Sequence, residues 1–204
     1  DLTAYYEGRM DDIKDKKVQV MRSISAKEIV FAQYIHGTNK PYVEEPGVSQ
    51  GSKTETFAAL KLFVNNWNWR GTPIYIRTGK CLKEKISEVA IYFKAPQTNI
   101  FNQEIKPNVL VIRLQPDESI SLRFNAKMPG NEFKIDRVSM DFCYDCLFDI
   151  NTPEAYEKLL HDAFLGDNSL FTRWDEVQAS WKIIDPIIKQ MTNNPDKLLY
   201  YPSG

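Results

Sequence analysis

Apolar and polar side chains alternate along several segments of the chain, and this alternation predicts its strands. In Phe57–Trp67 both alternating sets are largely apolar, which is typical of a strand that is covered on both faces. The sequence Arg70-Gly71-Thr72-Pro73 predicts a turn, and Ile74–Arg77 predicts the returning strand. Three later segments carry their apolar residues mainly on one side: Glu88–Lys94, Asn108–Gln115 and Ser119–Lys127. Because only residues 116–118 separate the last two, they are predicted to form an antiparallel hairpin.

The last third of the chain changes to a helical period. A hydroxyl cap, a proline and an acid at residues 152–154 predict the start of one helix, which should end at Gly166. A second helix should start near Thr172, and Pro186 predicts a kink or a break in it because proline has no N–H to donate. The positions predicted to face the core are Tyr156, Leu159, Leu160 and Ala163 in the first helix and Val177, Trp181, Ile184 and Ile188 in the second.

Strands that come before helices, without alternation of the two, predict an α+β fold. We expect a large, mostly antiparallel sheet with helices packed on one face, and a polar-looking second face that is free for a partner. A further short helix is predicted to end near Arg22. A length of 204 residues favours one domain, residues 11–204, and residues 1–10 look like a linker or a remainder foreign to the natural protein.

Composition narrows the function classes. With 26 basic and 27 acidic residues, nothing indicates a nucleic acid or an anionic membrane as the main partner. No apolar run approaches the roughly 20 residues of a membrane span, and no signal-peptide pattern opens the chain. Three cysteines, an odd number, fit a reducing cytoplasm better than a disulfide framework. The sequence therefore predicts a cytoplasmic protein.

Five cations lie within sixteen positions, from the turn between the central pair of strands to just after the second of them: Arg70, Arg77, Lys80, Lys83 and Lys85. They allow two interpretations from spacing alone. The first is a solvated loop whose charges keep a sheet edge from pairing with other chains. The second is a pocket in which ammonium groups at a strand end bind the phosphate or hydroxyls of a small anionic substrate. Spacing does not choose between the two.

The other motifs that could be catalytic or metal-binding are better explained as ordinary surface or packing residues. The pair Glu44-Glu45 is typical of a solvated turn, and His161 is typical of a surface histidine. Cys143 and Cys146 have redox or half-zinc spacing but lack a second pair of ligands, and strand alternation would point them to opposite faces. We therefore predict no metal site and no catalytic residue from these motifs.

Three long segments carry a family resemblance: EEPGVSQGSKTETFAALKLFVNNWNWRGTPIYIRTGKCL, PNVLVIRLQPDESISLRFNAKMPG and TPEAYEKLLHDAFLGDNSLFTRWDEVQASWKIIDPI. They resemble, in order and from about Asp11 to the end, the C-terminal half of glucose-6-phosphate dehydrogenases. The resemblance implies an NADP-dependent oxidation of D-glucose 6-phosphate to 6-phospho-D-glucono-1,5-lactone, a step of glucose metabolism in the pentose phosphate pathway. It also implies that the chain supplies substrate binding and subunit association.

Two parts that the family needs do not occur in this sequence. No Gly-x-Gly-x-x-Gly fingerprint lies between a strand and a helix, so we expect NADP to be bound mainly by an N-terminal coenzyme domain that this chain lacks. The family's catalytic histidine and its His-Tyr-x-x-Lys run lie before the matched region, and neither His36 nor His161 has that context. The resemblance therefore assigns no catalytic residue and no primary coenzyme-binding residue here, and the isolated chain should be inactive.

The resemblance assigns three substrate-binding residues. Lys80, in Arg77-Thr78-Gly79-Lys80, corresponds to the lysine that hydrogen-bonds the sugar, and Lys85 to a second position where many members have arginine. Gln115, at the end of VLVIRLQ, matches a glutamine close to the substrate in some members. Animal members hold a second, structural NADP with basic residues where this chain has Ile86 and Ala90, so that site should be missing or weaker.

The partners implied are glucose 6-phosphate and further copies of the chain, in a homodimer or a dimer of dimers joined through the polar-looking face of the sheet. The alternative, from another class, is a non-catalytic sheet domain that acts only in assembly or regulation.

Overall fold

The computed structural model describes residues 2–95, 105–144 and 155–204. The chain divides into two compact units. Unit 1 comprises Asp1–Lys83 and Ala155–Gly204, and unit 2 comprises Glu84–Glu154. Each unit contains one four-stranded sheet. The predicted α+β class is confirmed, with the described strands shared between two sheets and with helices beside the sheet of unit 1.

Unit 1 contains four strands and three described helices. Its strands are β1 (Ile24–Ile35), β2 (Phe57–Val64), β3 (Pro73–Gly79) and β8 (Leu199–Pro202), and its helices are α1 (Leu2–Arg22), α2 (Ala155–Leu165) and α3 (Trp174–Thr192). The strand order is β3-β2-β1-β8. The β1–β2 and β2–β3 pairs are antiparallel, whereas β1 and β8 run parallel. The predicted turn between β2 and β3 is confirmed, and Gly71 has the positive φ of 81° that such a turn favours.

The core of unit 1 lies between its sheet and helix α3. Phe31 of β1 is buried with Ile187, Met191 and Leu198. Around them pack the partly buried residues Ala26, Ile29, Ala58, Leu60 and Ile183. Because one alternating set of β2, which includes Ala58 and Leu60, is wholly apolar, this strand can face a helix on that side without burying a polar row.

Helix α3 differs from the sequence-based expectation in two respects. It runs without interruption through Pro186, so of the predicted kink or break, the break is wrong. The predicted inward stripe is also wrong, because Trp181, Ile184 and Ile188 are 54%, 37% and 40% exposed. The buried positions are Glu176, Ala179, Ile187 and Met191. The helix carries apolar residues on two adjacent faces, and the sheet covers the one that ends in Ile187 and Met191.

The other two helices begin or face differently from what the pattern predicts. Helix α1 ends at Arg22 as predicted but extends back to Leu2. Helix α2 ends at Leu165, and Gly166 follows with a positive φ of 74°, as predicted for the C-terminal cap. The predicted start of α2, residues 152–154, lies outside the described residues. The inward face predicted for α2 is wrong, because Tyr156 and Leu160 are 79% and 61% exposed.

Unit 2 is an antiparallel sheet with the order β4-β5-β6-β7. Its strands are β4 (Ser87–Tyr92), β5 (Val109–Gln115), β6 (Ser119–Lys127) and β7 (Ile135–Cys143). The predicted hairpin is confirmed, with Ile112 opposite Ile120 in β5 and β6. Cross-strand pairing aligns apolar residues in rows on one face: Val89, Ile112, Ile120 and Phe142 in one row and Ile91, Leu110, Leu122 and Met140 in the next. None of the helices in the described part of the chain combines the length and apolar character that a membrane crossing requires.

Candidate functional site

Lys80 directly follows β3, and hydrogen bonds hold both its backbone N–H and its carbonyl oxygen. The Lys80 N–H donates to the Thr56 carbonyl oxygen at 2.8 Å. The Tyr201 hydroxyl donates to the Lys80 carbonyl oxygen at 2.7 Å. The Lys80 side chain is exposed. A fixed backbone therefore carries a long, solvent-exposed ammonium group at the end of a strand, where it can donate hydrogen bonds to an anionic ligand.

Gly79 is needed here for packing. A Cβ atom at this position would lie 2.7 Å from Cδ2 of Phe57 and 3.3 Å from Cδ1 of Leu82. Phe57 pairs directly with Gly79 across β2 and β3, and its ring lies 5.6 Å from that of Tyr201 between centroids. The glycine thus lets the Phe57 ring pack against the strand end that precedes Lys80, which is a structural reason for it besides access of a ligand to the backbone.

Cys81 gives the chain a sharp change of direction after Lys80. Its φ is +48°, in the left-handed region that residues with a side chain rarely adopt. The Gly204 N–H donates to the Cys81 carbonyl oxygen at 2.9 Å. A Cβ atom on Gly204 would lie 2.1 Å from Oγ1 of Thr38. The end of the chain is therefore seated closely between the Cys81 turn and the loop after β1.

A chain of hydroxyl groups lies behind the Lys80 carbonyl. Oγ1 of Thr56 is 3.0 Å from the Tyr201 hydroxyl and accepts the Tyr34 N–H at 2.9 Å. Tyr34 is buried, and its hydroxyl donates to Oε1 of Glu45 at 3.2 Å. Burial, with the Glu45 carboxylate beside it, raises the pKa of Tyr34 to about 12. Tyr34 is therefore a neutral hydrogen-bond donor at physiological pH.

Lys85 and Gln115, the other two predicted substrate residues, belong to unit 2. Gln115 ends β5 and pairs with Ser87, the first residue of β4. Lys85 precedes Ser87 by two positions, so the structure brings Lys85 and Gln115 to the same end of the β4–β5 pair. Both residues are exposed. Lys80 belongs to unit 1, where β3 is an edge strand of the sheet, as the edge-protecting interpretation of the cation cluster also requires.

A second charged cluster joins α1 to the start of α3. The Arg173 guanidinium donates to Oδ1 of Asp175 at 2.8 Å and also bonds Asp15, and it lies 3.7 Å from Oδ1 of Asp11. Hydrogen bonding to Arg173 lowers the pKa of Asp175. A cavity of about 210 Å³ beside it is lined by Asp15, Val18, Gln19, Arg22 and Asp175. Since each aspartate near the guanidinium has a cationic partner, the cluster is explained by helix packing.

Within the described residues, no group of three or more His, Cys, Asp or Glu side chains could hold a metal ion. His161 is largely exposed and lies 3.4 Å from the Asp162 carboxylate. Cys81 is free, whereas Cys143 is disulfide-bonded. Cys146 lies outside the described residues.

Comparison with known proteins identifies the family of the chain. A family model described as the C-terminal domain of glucose-6-phosphate dehydrogenase matches residues 4–204. The chain belongs to this family. It is 40% identical to a glucose-6-phosphate 1-dehydrogenase of Chlamydia pneumoniae over 95% of its length and 41% identical to one of Bacillus subtilis over 95%.

Solved structures of the same family carry the same fold. One, described as glucose-6-phosphate dehydrogenase in complex with its substrate glucose-6-phosphate, superposes with a TM-score of 0.87 at 36% identity over 96% of this chain. Another, from Mycobacterium avium, has a TM-score of 0.78 at 31% identity over 96% of the chain. The chain spans 41% and 43% of the length of the Chlamydia and Bacillus relatives and 42% and 40% of the two structures.

The residues that hold Lys80 lie far from it in the sequence and were not predicted. Tyr201 is separated from Lys80 by 121 positions and Thr56 from Tyr201 by 145. Tyr201 lies in the short run LLYYPSG, where an aromatic residue is typical of packing. No local pattern could have found it, because the contact depends on β8 pairing in parallel with β1.

Proposed function

We propose that this chain is the substrate-binding and subunit-association domain of a glucose-6-phosphate dehydrogenase. The parent protein oxidises D-glucose 6-phosphate to 6-phospho-D-glucono-1,5-lactone and reduces NADP in the cytoplasm. The observation that supports this most is the fold match to a dehydrogenase structure with bound substrate, combined with Lys80 on a fixed strand end. The chain by itself is inactive, because the catalytic base and most of the coenzyme site belong to the rest of the parent.

Lys80 has the chemistry that a sugar phosphate requires. Its ammonium group offers three donors and a full positive charge. At an effective dielectric constant of about 20, a unit charge pair about 4 Å apart interacts by roughly 4 kcal/mol before desolvation. Lys85 supplies a second cation and Gln115 an amide that can donate and accept, both from the same end of the β4–β5 pair. These three residues bind and orient the substrate, and none of them takes the proton from C1.

NADP is bound mainly outside this chain. The residues at the positions of the structural NADP site, Ile86 and Ala90, are exposed and neutral. Neither side chain can pair with a ribose phosphate, so these positions do not fit the group. The dehydrogenation therefore takes its coenzyme from the part of the parent that carries the nucleotide fold.

Subunit association is assigned to the sheet of unit 2, with one change from the sequence-based expectation. The sequence predicts that copies associate through the polar-looking face of the sheet. The structure instead leaves apolar residues exposed: Val89 is 47%, Ile120 45% and Met140 63% exposed. Since exposed apolar rows are typical of protein contacts, we assign the association between copies to the apolar face.

The substrate role is tested in the full-length parent by replacing Lys80 with alanine. Removing a charged hydrogen-bond donor should raise KM for glucose 6-phosphate roughly ten- to hundredfold. KM for NADP should not change. Lys83→Ala, which removes a nearby exposed lysine, is the matched control and should leave both constants unchanged. Unaltered KM and kcat in Lys80→Ala would remove Lys80 from the substrate site.

The alternative is a non-catalytic domain that acts in assembly or regulation. The exposed apolar face of unit 2 favours it as much as it favours the enzyme. NADPH formation by the parent, followed by absorbance with glucose 6-phosphate, separates the two. A parent that associates but forms no NADPH would support the alternative.

A further inference from the structure

The structure points to one more residue with a role in the substrate site: we propose that Tyr201 is a positioning residue that sets the location of Lys80 through the Lys80 carbonyl. This inference rests on the proposed function, in which Lys80 binds the sugar phosphate. Tyr201 does not touch the substrate in this account. It fixes the backbone from which the substrate lysine extends.

The direction of each hydrogen bond follows from the number of protons available. The Tyr201 hydroxyl has one hydrogen, and its shortest acceptor is the Lys80 carbonyl at 2.7 Å, compared with 3.3 Å to the Thr56 carbonyl. The hydroxyl of Thr56 must then donate to Tyr201 across 3.0 Å. Thr56 in turn accepts the Tyr34 N–H. The result is a relay of aligned donors from Tyr34 through Thr56 and Tyr201 to Lys80, in which each bond polarises the next.

The relay acts together with two backbone contacts at the same place. The Lys80 N–H bonds Thr56, and the Cys81 carbonyl accepts from Gly204. Consecutive carbonyls, those of Lys80 and Cys81, are therefore held by β8 and the two residues after it. Cys81 is in the left-handed region, which a free loop would leave readily for a more favourable conformation. Without the Tyr201 hydroxyl, the Lys80–Cys81 peptide loses a contact that opposes this relaxation.

Ring packing and the hydroxyl contact of Tyr201 can be separated. The ring lies against Phe57 and, at 6.3 Å between centroids, against Tyr34. Tyr201→Phe keeps the ring and removes only the hydroxyl. Tyr200→Phe is the matched control, because among the described residues the Tyr200 hydroxyl accepts only a long 3.4 Å bond, from Lys53 at the surface.

The experiment measures KM and kcat of the full-length parent for glucose 6-phosphate in Tyr201→Phe, Lys80→Ala and the double variant. Loss of one hydrogen bond that positions the lysine should raise KM about three- to tenfold, with kcat and KM for NADP nearly unchanged. In the Lys80→Ala background, Tyr201→Phe should change KM no further, since its effect passes through Lys80. Tyr200→Phe should leave all constants as in the wild type.

The outcomes distinguish this inference from the proposed function. If Lys80→Ala leaves KM unchanged, the proposed function fails first. If Lys80→Ala raises KM but Tyr201→Phe does not, or if their effects multiply in the double variant, Tyr201 is only structural and the inference is overturned. Should Tyr201→Phe not fold, Thr56→Val removes the donor to the Tyr201 hydroxyl. Its KM increase must likewise vanish in the Lys80→Ala background.

Discussion

The two sheets of this chain are built from the same alternating pattern but differ in what covers them. In unit 1 the apolar side of the sheet is covered by α3, and Phe31 and Ile187 are only 8% and 5% exposed. In unit 2 the apolar rows face outward, and Met140 is 63% exposed. Alternation therefore shows which side chains share a face, but it does not show whether that face is covered.

The difference has an energetic consequence. Burial of apolar surface contributes about 25 cal/mol per Å², so unit 1 gains this stabilisation within its own fold. The apolar face of unit 2 gains the same contribution only when a further surface covers it. The stability of unit 1 should therefore depend on its core residues, and that of unit 2 on association.

The largest expected effect comes from truncating a core aromatic residue. Phe31→Ala should lower the free energy of unfolding by about 3–5 kcal/mol, because it leaves a cavity between β1 and α3. The matched variant in the other sheet is Phe142→Ala, which removes the same atoms from a strand position that is 36% exposed. Its cost to the isolated chain should be about 1 kcal/mol. Urea unfolding, with hydrogen exchange of β1 and β7 amides, measures the two effects separately.

Equal losses of unfolding free energy in Phe31→Ala and Phe142→Ala would contradict the proposed difference between the two sheets. They would show that the apolar face of unit 2 is covered in solution even in the isolated chain. A loss confined to Phe31→Ala, with β7 exchange unchanged, would show that the two sheets also unfold as separate units.

Much of the fold follows from local sequence, and the failures share one cause. The turn at Gly71 and the hairpin between β5 and β6 could be predicted because neighbouring residues specify them. The inward face of α3 could not, because the helix offers two apolar faces and only the sheet decides between them. Pro186 removes one helical hydrogen bond, yet Ile187 and Met191 beyond it are buried in the core and keep the last turns in place.

The candidate site shows the same limit. Lys80 could be proposed as a substrate residue because it lies within a motif of adjacent residues that resembles the family. The residues that hold it could not be found, because Tyr201 reaches it only through the parallel pairing of Tyr34 with Tyr201 across β1 and β8. Periodicity describes one element at a time, whereas this contact joins two elements that are distant in sequence.

A smaller effect is expected from the ion pairs that tie α1 to α3 in unit 1. Arg173→Gln should destabilise unit 1 and speed hydrogen exchange in α1 while leaving the amides of unit 2 unchanged. Arg173 holds the pKa of Asp175 below its ordinary value of 3.8. A lowered folded-state pKa stabilises the fold above the unfolded pKa, and this contribution is lost as the pH falls through the lowered value. The difference in the free energy of unfolding between wild type and Arg173→Gln should thus be largest above about pH 4 and should shrink below that pH.

Lys182→Gln is the control for Arg173→Gln, since it removes the same charge from an exposed position on the same helix. It should show no such dependence on pH. Urea unfolding of both variants from neutral to acid pH gives the comparison. If the loss of unfolding free energy in Arg173→Gln stays the same at the lowest pH measured, the Arg173 side chain acts through packing and its ion pairs contribute little.

The smallest effect on unfolding, and the most informative one on association, is expected from a charge on the apolar face of unit 2. Met140→Lys should change the free energy of unfolding of the isolated chain by no more than about 0.5 kcal/mol, because the position is 63% exposed. In the full-length parent it should weaken self-association, since an unpaired ammonium would be buried between copies. Sedimentation velocity over a range of concentrations measures this.

Ser139→Lys places the same side chain one position earlier in β7, on the opposite face and beside the Asp141 carboxylate that Ser139 bonds at 2.7 Å. Strand alternation makes this pair a direct test of which face is the contact, since the two substitutions share their charge, strand and neighbourhood. Dissociation by Met140→Lys alone supports the apolar face. Dissociation by Ser139→Lys alone would show that copies associate through the polar face. The exposed apolar rows of unit 2 would then have to be covered by another part of the parent.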